Sequence, residues 1–185
     1  MSLADFDRQP LLAEGPLSLR PLTADDIEPL YAIAGDPLVW DQHPMPERSE
    51  RAHFEEWIGG KLADGGTLVA HFEGEGLIAS STYSNLRTES GGAIEIGSTF
   101  LARRMWGGPV NRTIKRLMLR HAFTYVAQVE FLVWDRNVRS RRAMEKIGGR
   151  LTDRTATVAH RAQAVVHLVY EITREDFTIG PLANA

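Results

Sequence analysis

The segment Arg103-Arg104-Met105-Trp106-Gly107-Gly108-Pro109-Val110-Asn111 carries the residue types of an anion-binding loop. It lies between an alternating apolar stretch and a long helical pattern, so it leads the chain into a helix. A helix start exposes N–H groups without intrahelical partners and the positive end of the dipole, and both favour a phosphate. Gly107 and Gly108 let the backbone approach such a group closely. Pro109 suits a first helical turn, where its missing N–H breaks no helix bond, although it also removes one donor to a ligand. Arg103, Arg104, Arg112, Lys115 and Arg116 add positive charge. The same residues also fit a tight turn followed by a basic, solvated helix face. A nucleoside-triphosphate loop is disfavoured because no Gly-Lys-Ser/Thr ending occurs, and a dinucleotide loop because Gly-x-Gly-x-x-Gly is missing.

A second segment runs from Val133 to Gly149. Asn137 stands where a helix cap belongs, and Ser140 falls in the first turn near the same end. Spacing alone favours an ordinary capped surface helix. The six histidines lack the compact spacing of metal-ligand motifs, so no metal site is expected. His53 and His121 fall in helical patterns, His71 in a strand, and His160 and His167 flank the last hairpin. With no cysteine there is no disulfide framework, thiolate metal site or catalytic thiol, which suits a cytoplasmic location.

Positioning these segments requires a regular scaffold. Alternation marks a strand at Leu17 to Arg20, and Thr23-x-x-Asp26 before Ile27, Leu30, Tyr31 and Ile33 marks a capped helix. A bend at Pro44 to Pro46 precedes a second helix at Ser49 to Leu62. Thr67 to Phe72 and Leu77 to Tyr83 form a hairpin, and Ala93 to Leu101 continues after a turn. The strongest helix spans Val110 to Val126. A strand at Glu130 to Trp134, a helix at Arg139 to Ile147, and strands at Leu151 to Val158 and Ala164 to Ile172 complete the pattern. The order is that of a mixed α/β domain, with an antiparallel first half and then a strand–helix–strand crossover. Its 185 residues suggest an irregular leader at 1–15, one domain at 16–178 and a tail at 179–185. A net charge of −3 gives no general attraction to nucleic acid or anionic membrane. The first 14 residues lack signal-peptide character, and no apolar run approaches the ~20 residues that span a bilayer.

Taken together, the order strand, Arg-x-x-Gly-Gly, long helix, strand, Asn-x-x-Ser, short helix, Gly resembles the GNAT N-acetyltransferase superfamily. Within it the chain is similar to the branch containing the ribosomal-protein N-terminal (alanine/serine) acetyltransferases. Ile94-Glu95-Ile96-Gly97, Asn111, Leu117 to Phe123 and Asp135-Arg136-Asn137 also fit, and the likeness runs from about Leu17 to Phe177. The resemblance implies a central, mostly antiparallel sheet with a splayed middle strand pair and flanking helices. It implies acetyl-CoA as acyl donor, with Phe100 and Leu101 along the pantetheine arm. Arg104, Trp106, Gly107, Gly108, Val110 and Asn111 would form the pyrophosphate loop, with Asn137 and Ser140 near the thioester sulfur.

The implied reaction is attack of a neutral primary amine on the thioester in a ternary complex. An α-amine has a pKa of ~8 and lysine ~10.4, so a base or water relay must take a proton. A backbone N–H of the splayed strand is the natural donor to the developing oxyanion. By resemblance Glu95 is the candidate base, though it also reads as an ordinary strand carboxylate, and Ser140 is the candidate acid. The family's more usual tyrosine position holds Met144, while Tyr170 reads as core or pocket wall. Trp40, Asp41, His43 and Trp57 are implied acceptor-pocket residues. The last hairpin departs from the branch, being small and apolar at Ala156, Ala159, Ala162, Ala164, Val165 and Val166. The acceptor is expected to be a small-molecule amine or a peptide N-terminus, in a monomer or homodimer without nucleic-acid or membrane partners. A non-catalytic acyl-CoA sensor is the alternative that Pro109, Met144 and the altered hairpin motivate. A different phosphate binder is the third reading.

Overall fold

The computed structural model describes residues 3–160 and 163–183, without the side chains of residues 159, 160 and 163. The elements are β1 (Leu12–Glu14), β2 (Leu17–Pro21), α1 (Ile27–Ala34), α2 (Arg51–Asp64), β3 (Thr67–Phe72), β4 (Gly76–Arg87), β5 (Ala93–Leu101), α3 (Val110–Ala122), β6 (Gln128–Trp134), α4 (Val138–Lys146), β7 (Arg150–His160), β8 (Gln163–Thr173) and α5 (Arg174–Ile179). One sheet has the order β1-β2-β3-β4-β5-β6-β8-β7. Neighbours are antiparallel except β5 and β6, which run parallel and are joined by the α3 crossover. The mixed, mostly antiparallel architecture expected from the sequence is present.

Helices cover both faces of the sheet and divide the core in two. On one face Ile94 and Ile96 of β5 pack with Ile114, Leu117 and Met118 of α3 and Met144 of α4. On the other, Leu30 and Ile33 of α1 and Phe54 and Ile58 of α2 pack with Val69 and Phe100. Trp40, Phe54, Trp57 and Phe100 form an aromatic cluster with ring centroids 5.5–6.2 Å apart. Such ring pairs contribute about 0.5–1.5 kcal/mol each beyond their buried area, so the cluster is a firm wall.

Ile96 and Phe100 are an even number of residues apart, yet they face opposite sides. The cause is a bulge in β5. Thr82 pairs with Gly97 and Ser80 with Phe100, so one residue of β4 opposes both Ser98 and Thr99. Ser98 takes a left-handed φ of 50° to accommodate this. A one-residue insertion reverses the facing of everything beyond it.

The second irregularity is the separation of β5 from β6. Only Ala93, Ile94 and Glu95 pair with Gln128, Val129 and Glu130. Beyond them β6 continues on β8, while β5 continues on β4. The two strands therefore diverge as a V, the splayed middle pair implied by the family resemblance.

Several boundaries differ from the sequence reading. Residues 1–15, read as irregular, contain β1, and Phe6 packs edge-on against Tyr83 at 5.4 Å. A three-residue strand is too short to show a period. α3 stops at Ala122, not Val126, because the amides of Tyr125 and Val126 both turn back to the Ala122 carbonyl. Thr124, Tyr125 and Val126 are weak helix formers, which favours the stop there. α5 was not foreseen, and Leu182 of the supposed tail is buried in the main core. Ala162 of the last hairpin and the His160 side chain lie outside the described residues.

Candidate active site

A cavity of about 1100 Å³ fills the V. Its arms are Ile96 to Leu101 of β5 and Phe131 to Trp134 of β6. Its floor runs along the start of α3, where Trp106, Gly107, Gly108, Asn111 and Arg112 line it. Asn137 and Ser140 at the start of α4 also line it, as do Val39, Trp40, Gln42, His43, Pro44 and Arg48 from between α1 and α2. Of the proposed site residues, Phe100, Leu101, Trp106, Gly107, Gly108, Asn111, Asn137 and Ser140 come together here. Arg104, Val110 and Glu95 are not among the lining residues.

Local interactions fix these positions. Gly107 has a φ of 77°, and a Cβ there would meet nothing within 4 Å, so backbone conformation rather than crowding calls for glycine. Trp106 is anchored by its indole N–H to the Leu101 carbonyl at 2.9 Å. The Arg104 guanidinium is engaged by Glu75 at 2.8 Å. Arg103 pairs with Asp36, tying the loop to the end of α1. At the start of α3 the buried Arg112 Nε has no hydrogen-bond partner among the described residues. An orphaned donor beside unpaired helix N–H groups suits an anionic group, which fits the diphosphate of a CoA thioester.

Asn137 is a buried helix cap whose side-chain oxygen accepts from the Ser140 amide at 2.9 Å. The Ser140 hydroxyl bonds to none of the described residues, so it is available to a ligand in the cavity. Asn137→Ala is expected to cost about 1 kcal/mol of cap energy, lowering the melting temperature by about 2–4 °C. It should also loosen Ser140 and weaken acetyl-CoA binding, which thermal melts and calorimetry measure together. An unchanged melt would show that the cap is dispensable.

The sequence counts Lys115 among the charges beside the anion loop, with a solvated helix face as the alternative, but only 2% of it is exposed. Its amine donates to Thr99 Oγ1 at 2.6 Å and Ser81 Oγ at 3.1 Å, at the β5 bulge. No carboxylate among the described residues pairs with it, and burial pushes its pKa down to about 7. Arg139 stacks on Trp106 at 4.2 Å and pairs with Asp41 at 2.8 Å. It thereby ties α4 to both the loop and the α1–α2 connection.

Glu95 stands just beyond the cavity. A Cβ on Gly97, which lines it, would fall 2.8 Å from Glu95 Oε1. Glu95 Oε2 accepts from Asn85 at 2.7 Å, and the carboxylate lines a shallower cleft with Arg87, Glu130 and Arg154. Of the implied acceptor residues, Trp40 and His43 line the cavity and Trp57 supports Trp40 from behind, while Asp41 is held by Arg139. Met144 is buried beside the cavity, and Tyr170 is buried with its hydroxyl accepting from Arg141 at 3.3 Å. His167 lines the cavity. His121 is structural, with Nε2 2.6 Å from the Asp7 carbonyl, and His71 is exposed. His53 lies beside Glu50 on α2. No cluster of metal-ligating side chains occurs among the described residues, and no helix is long and apolar enough to cross a membrane.

Comparison with known proteins agrees with this geometry. No curated protein has a matching sequence. A GCN5-related N-acetyltransferase from Brucella melitensis is similar in structure, with a TM-score of 0.81 at 17% identity, over 97% of this chain and 84% of that one. RimJ of Mycobacterium smegmatis, in complex with CoA-disulfide, gives 0.68 at 19% identity over 95% and 90%. Spermidine N-acetyltransferase of Vibrio cholerae, in complex with CoA and spermine, gives 0.66 at 14% identity over 89% and 99%. At such identities the likeness is one of fold. The family itself is set by a sequence model, the acetyltransferase (GNAT) domain, which matches residues 17–150. That match spans well over half of the chain, which therefore belongs to the GNAT family of acetyl-CoA-dependent N-acetyltransferases.

Proposed function

We propose that the protein transfers the acetyl group of acetyl-CoA to a primary amine by direct attack in a ternary complex. The observation that carries this reading is the V between β5 and β6, a cavity lined both by the start of α3 and by Trp40, His43 and Arg48. The start of α3 suits the diphosphate, and the Trp40, His43 and Arg48 wall would receive an acceptor. The pantetheine arm would lie along Phe100 and Leu101 as an added strand, using β5 edge groups that β6 leaves unpaired. The Gly107–Gly108 loop, Val110, Asn111 and Arg112 would hold the diphosphate, and Arg104 would join them by exchanging Glu75 for a phosphate oxygen.

In the reaction the amine nitrogen bonds to the acetyl carbon, the C–S bond breaks and CoA leaves as a thiolate. One proton leaves the amine for Glu95, directly or through water, and one reaches the thiolate from Ser140, which regains a proton through water as Glu95 gives up its own. A backbone N–H at the bulge would receive the oxyanion charge.

Calorimetric titration with acetyl-CoA tests the reading, with ATP and NAD as controls. Selective acetyl-CoA binding is expected, weakened about tenfold by Asn111→Ala if it loses one good hydrogen bond. Arg104→Ala should weaken it less, since that side chain must first leave Glu75. Equal binding of ATP would overturn the assignment. Acetyl-CoA binding with no thiol release across an amine panel would indicate an acyl-CoA sensor instead.

A further inference from the structure

The cavity lining has an unusual charge pattern. None of the residues that line the cavity is an aspartate or glutamate. Arg48, on the short helical turn Pro46–Ser49 before α2, lines it as a cation with no salt-bridge partner among the described residues. Its guanidinium lies over Trp57 at 4.4 Å and near Trp40 at 5.7 Å. No carboxylate among the described residues forms a salt bridge with it, and Glu47 adds only a through-space attraction. The contrast is Arg139, whose charge is spent on Asp41.

His43 does not satisfy Arg48 either. Its Nδ1 accepts the Met45 amide at 3.0 Å, so a neutral ring carries its proton on Nε2. That nitrogen lies 3.3 Å from Arg48 Nη1 and then cannot accept from it. Burial accordingly lowers the Arg48 pKa to about 10, which still leaves it charged at neutral pH. A planar cation held by ring stacking, with its N–H edge unspent, is preorganised for a carboxylate.

We propose that Arg48 is the acceptor-anchoring residue and that the acceptor is a primary amine bearing a carboxylate. This rests on the acetyl-transfer reading and adds only the acceptor class. The charge pattern serves both ends of such a molecule. Arg48 holds the carboxylate, while the surrounding positive field lowers the pKa of the amine and favours its neutral, nucleophilic form. A polyamine would meet the same field with no counter-charge along the cavity lining.

The test compares amine acceptors that share a skeleton: free amino acids, their amides, peptides beginning with an acidic or a neutral residue, and spermidine. Thiol release is followed with each. Carboxylate-bearing amines should be preferred over their amides. Free amino acids and acidic peptides then separate a small molecule from a chain terminus as the source of the carboxylate. Arg48→Gln should raise KM for the preferred carboxylate acceptor about 10- to 100-fold, the size of a lost charge-assisted bond. It should leave acetyl-CoA affinity and KM for the amide unchanged, with Arg48→Lys recovering part of the loss. Calorimetric binding of the carboxylate acceptor to the CoA-loaded protein gives a readout independent of turnover. Preference for spermidine or the amides, no such ternary binding, or an equal loss of acetyl-CoA affinity in Arg48→Gln would each overturn the proposal. Failure of acetyl-CoA itself to bind would instead remove the acetyl-transfer reading on which it rests.

Discussion

Replacing Lys115 by methionine is expected to stabilise the protein at pH 7, although it removes two hydrogen bonds from a buried site. The amine sits between Ser81 and Thr99 without a counter-ion, and its pKa falls from an ordinary 10.5 to about 7. That difference corresponds to about 5 kcal/mol of folding energy at most. Losing the amine strands neither hydroxyl, because Ser81 Oγ and Thr99 Oγ1 already lie 2.8 Å apart and can pair with each other. Allowing about 1 kcal/mol for each lost bond leaves a net gain of about 3 kcal/mol, or roughly 6–12 °C in melting temperature. Methionine keeps the length of the chain in the cavity.

The pH dependence identifies the cause. Below pH 7 the amine is charged in both folded and unfolded protein, so the burial cost is complete. Between 7 and 10.5 the unfolded chain binds more protons than the folded one, and wild-type stability recovers as pH rises. The advantage of Lys115→Met should therefore be largest at or below pH 7, vanish near about pH 9, where the remaining burial cost equals that of the two lost bonds, and reverse by pH 10.5. Parallel thermal melts at four pH values measure it, and a destabilised variant with no pH trend would sink the argument. A buried amine kept in a ligand cavity at such a cost is characteristic of groups retained for function rather than stability.

How far these features could be read in advance depends on how local their causes are. The Asn137 cap and the glycine loop rest on contacts within a few residues, and their sequence signals were sufficient. The β5 bulge was not legible, because it depends on which residue of β4 lies opposite. The splay required the family resemblance, since each strand alone looks regular and only the missing pairs beyond Glu95 and Glu130 reveal it. Lys115 was misread although the signal was present. It lies three, four and seven residues before Met118, Leu119 and Ala122, on the buried stripe of α3 rather than its wet face. α5 likewise follows Thr173-x-x-Asp176, the capping pattern that correctly marked the helix after Thr23. Arg48 gave no warning, because a Pro-Glu-Arg-Ser stretch reads as surface until Trp40 and Trp57 are brought to it from elsewhere in the chain.

Glu95→Gln is expected to reduce kcat/KM about 100-fold near neutral pH, the usual scale for loss of a general base. The substitution keeps the shape of the side chain and an oxygen for Asn85, which now donates to Glu95 Oε2 at 2.7 Å. The side chain can keep its place beside Gly97, so the change is chemical rather than structural. The deficit should shrink as pH rises, because an acceptor that has lost its own proton needs no base. For an α-amine the two enzymes should converge above about pH 9. A pH–rate profile of thiol release for both forms therefore separates a base from a residue that merely shapes the strand. A base effect narrows with pH, while a shape defect persists at every pH. An unchanged rate throughout would move the proton to His167 or to solvent. Solvent is a real competitor here, because a cavity lined by cations and no carboxylate already favours the neutral amine. The size of the Glu95→Gln effect thus measures how much of the deprotonation the charge pattern performs by itself.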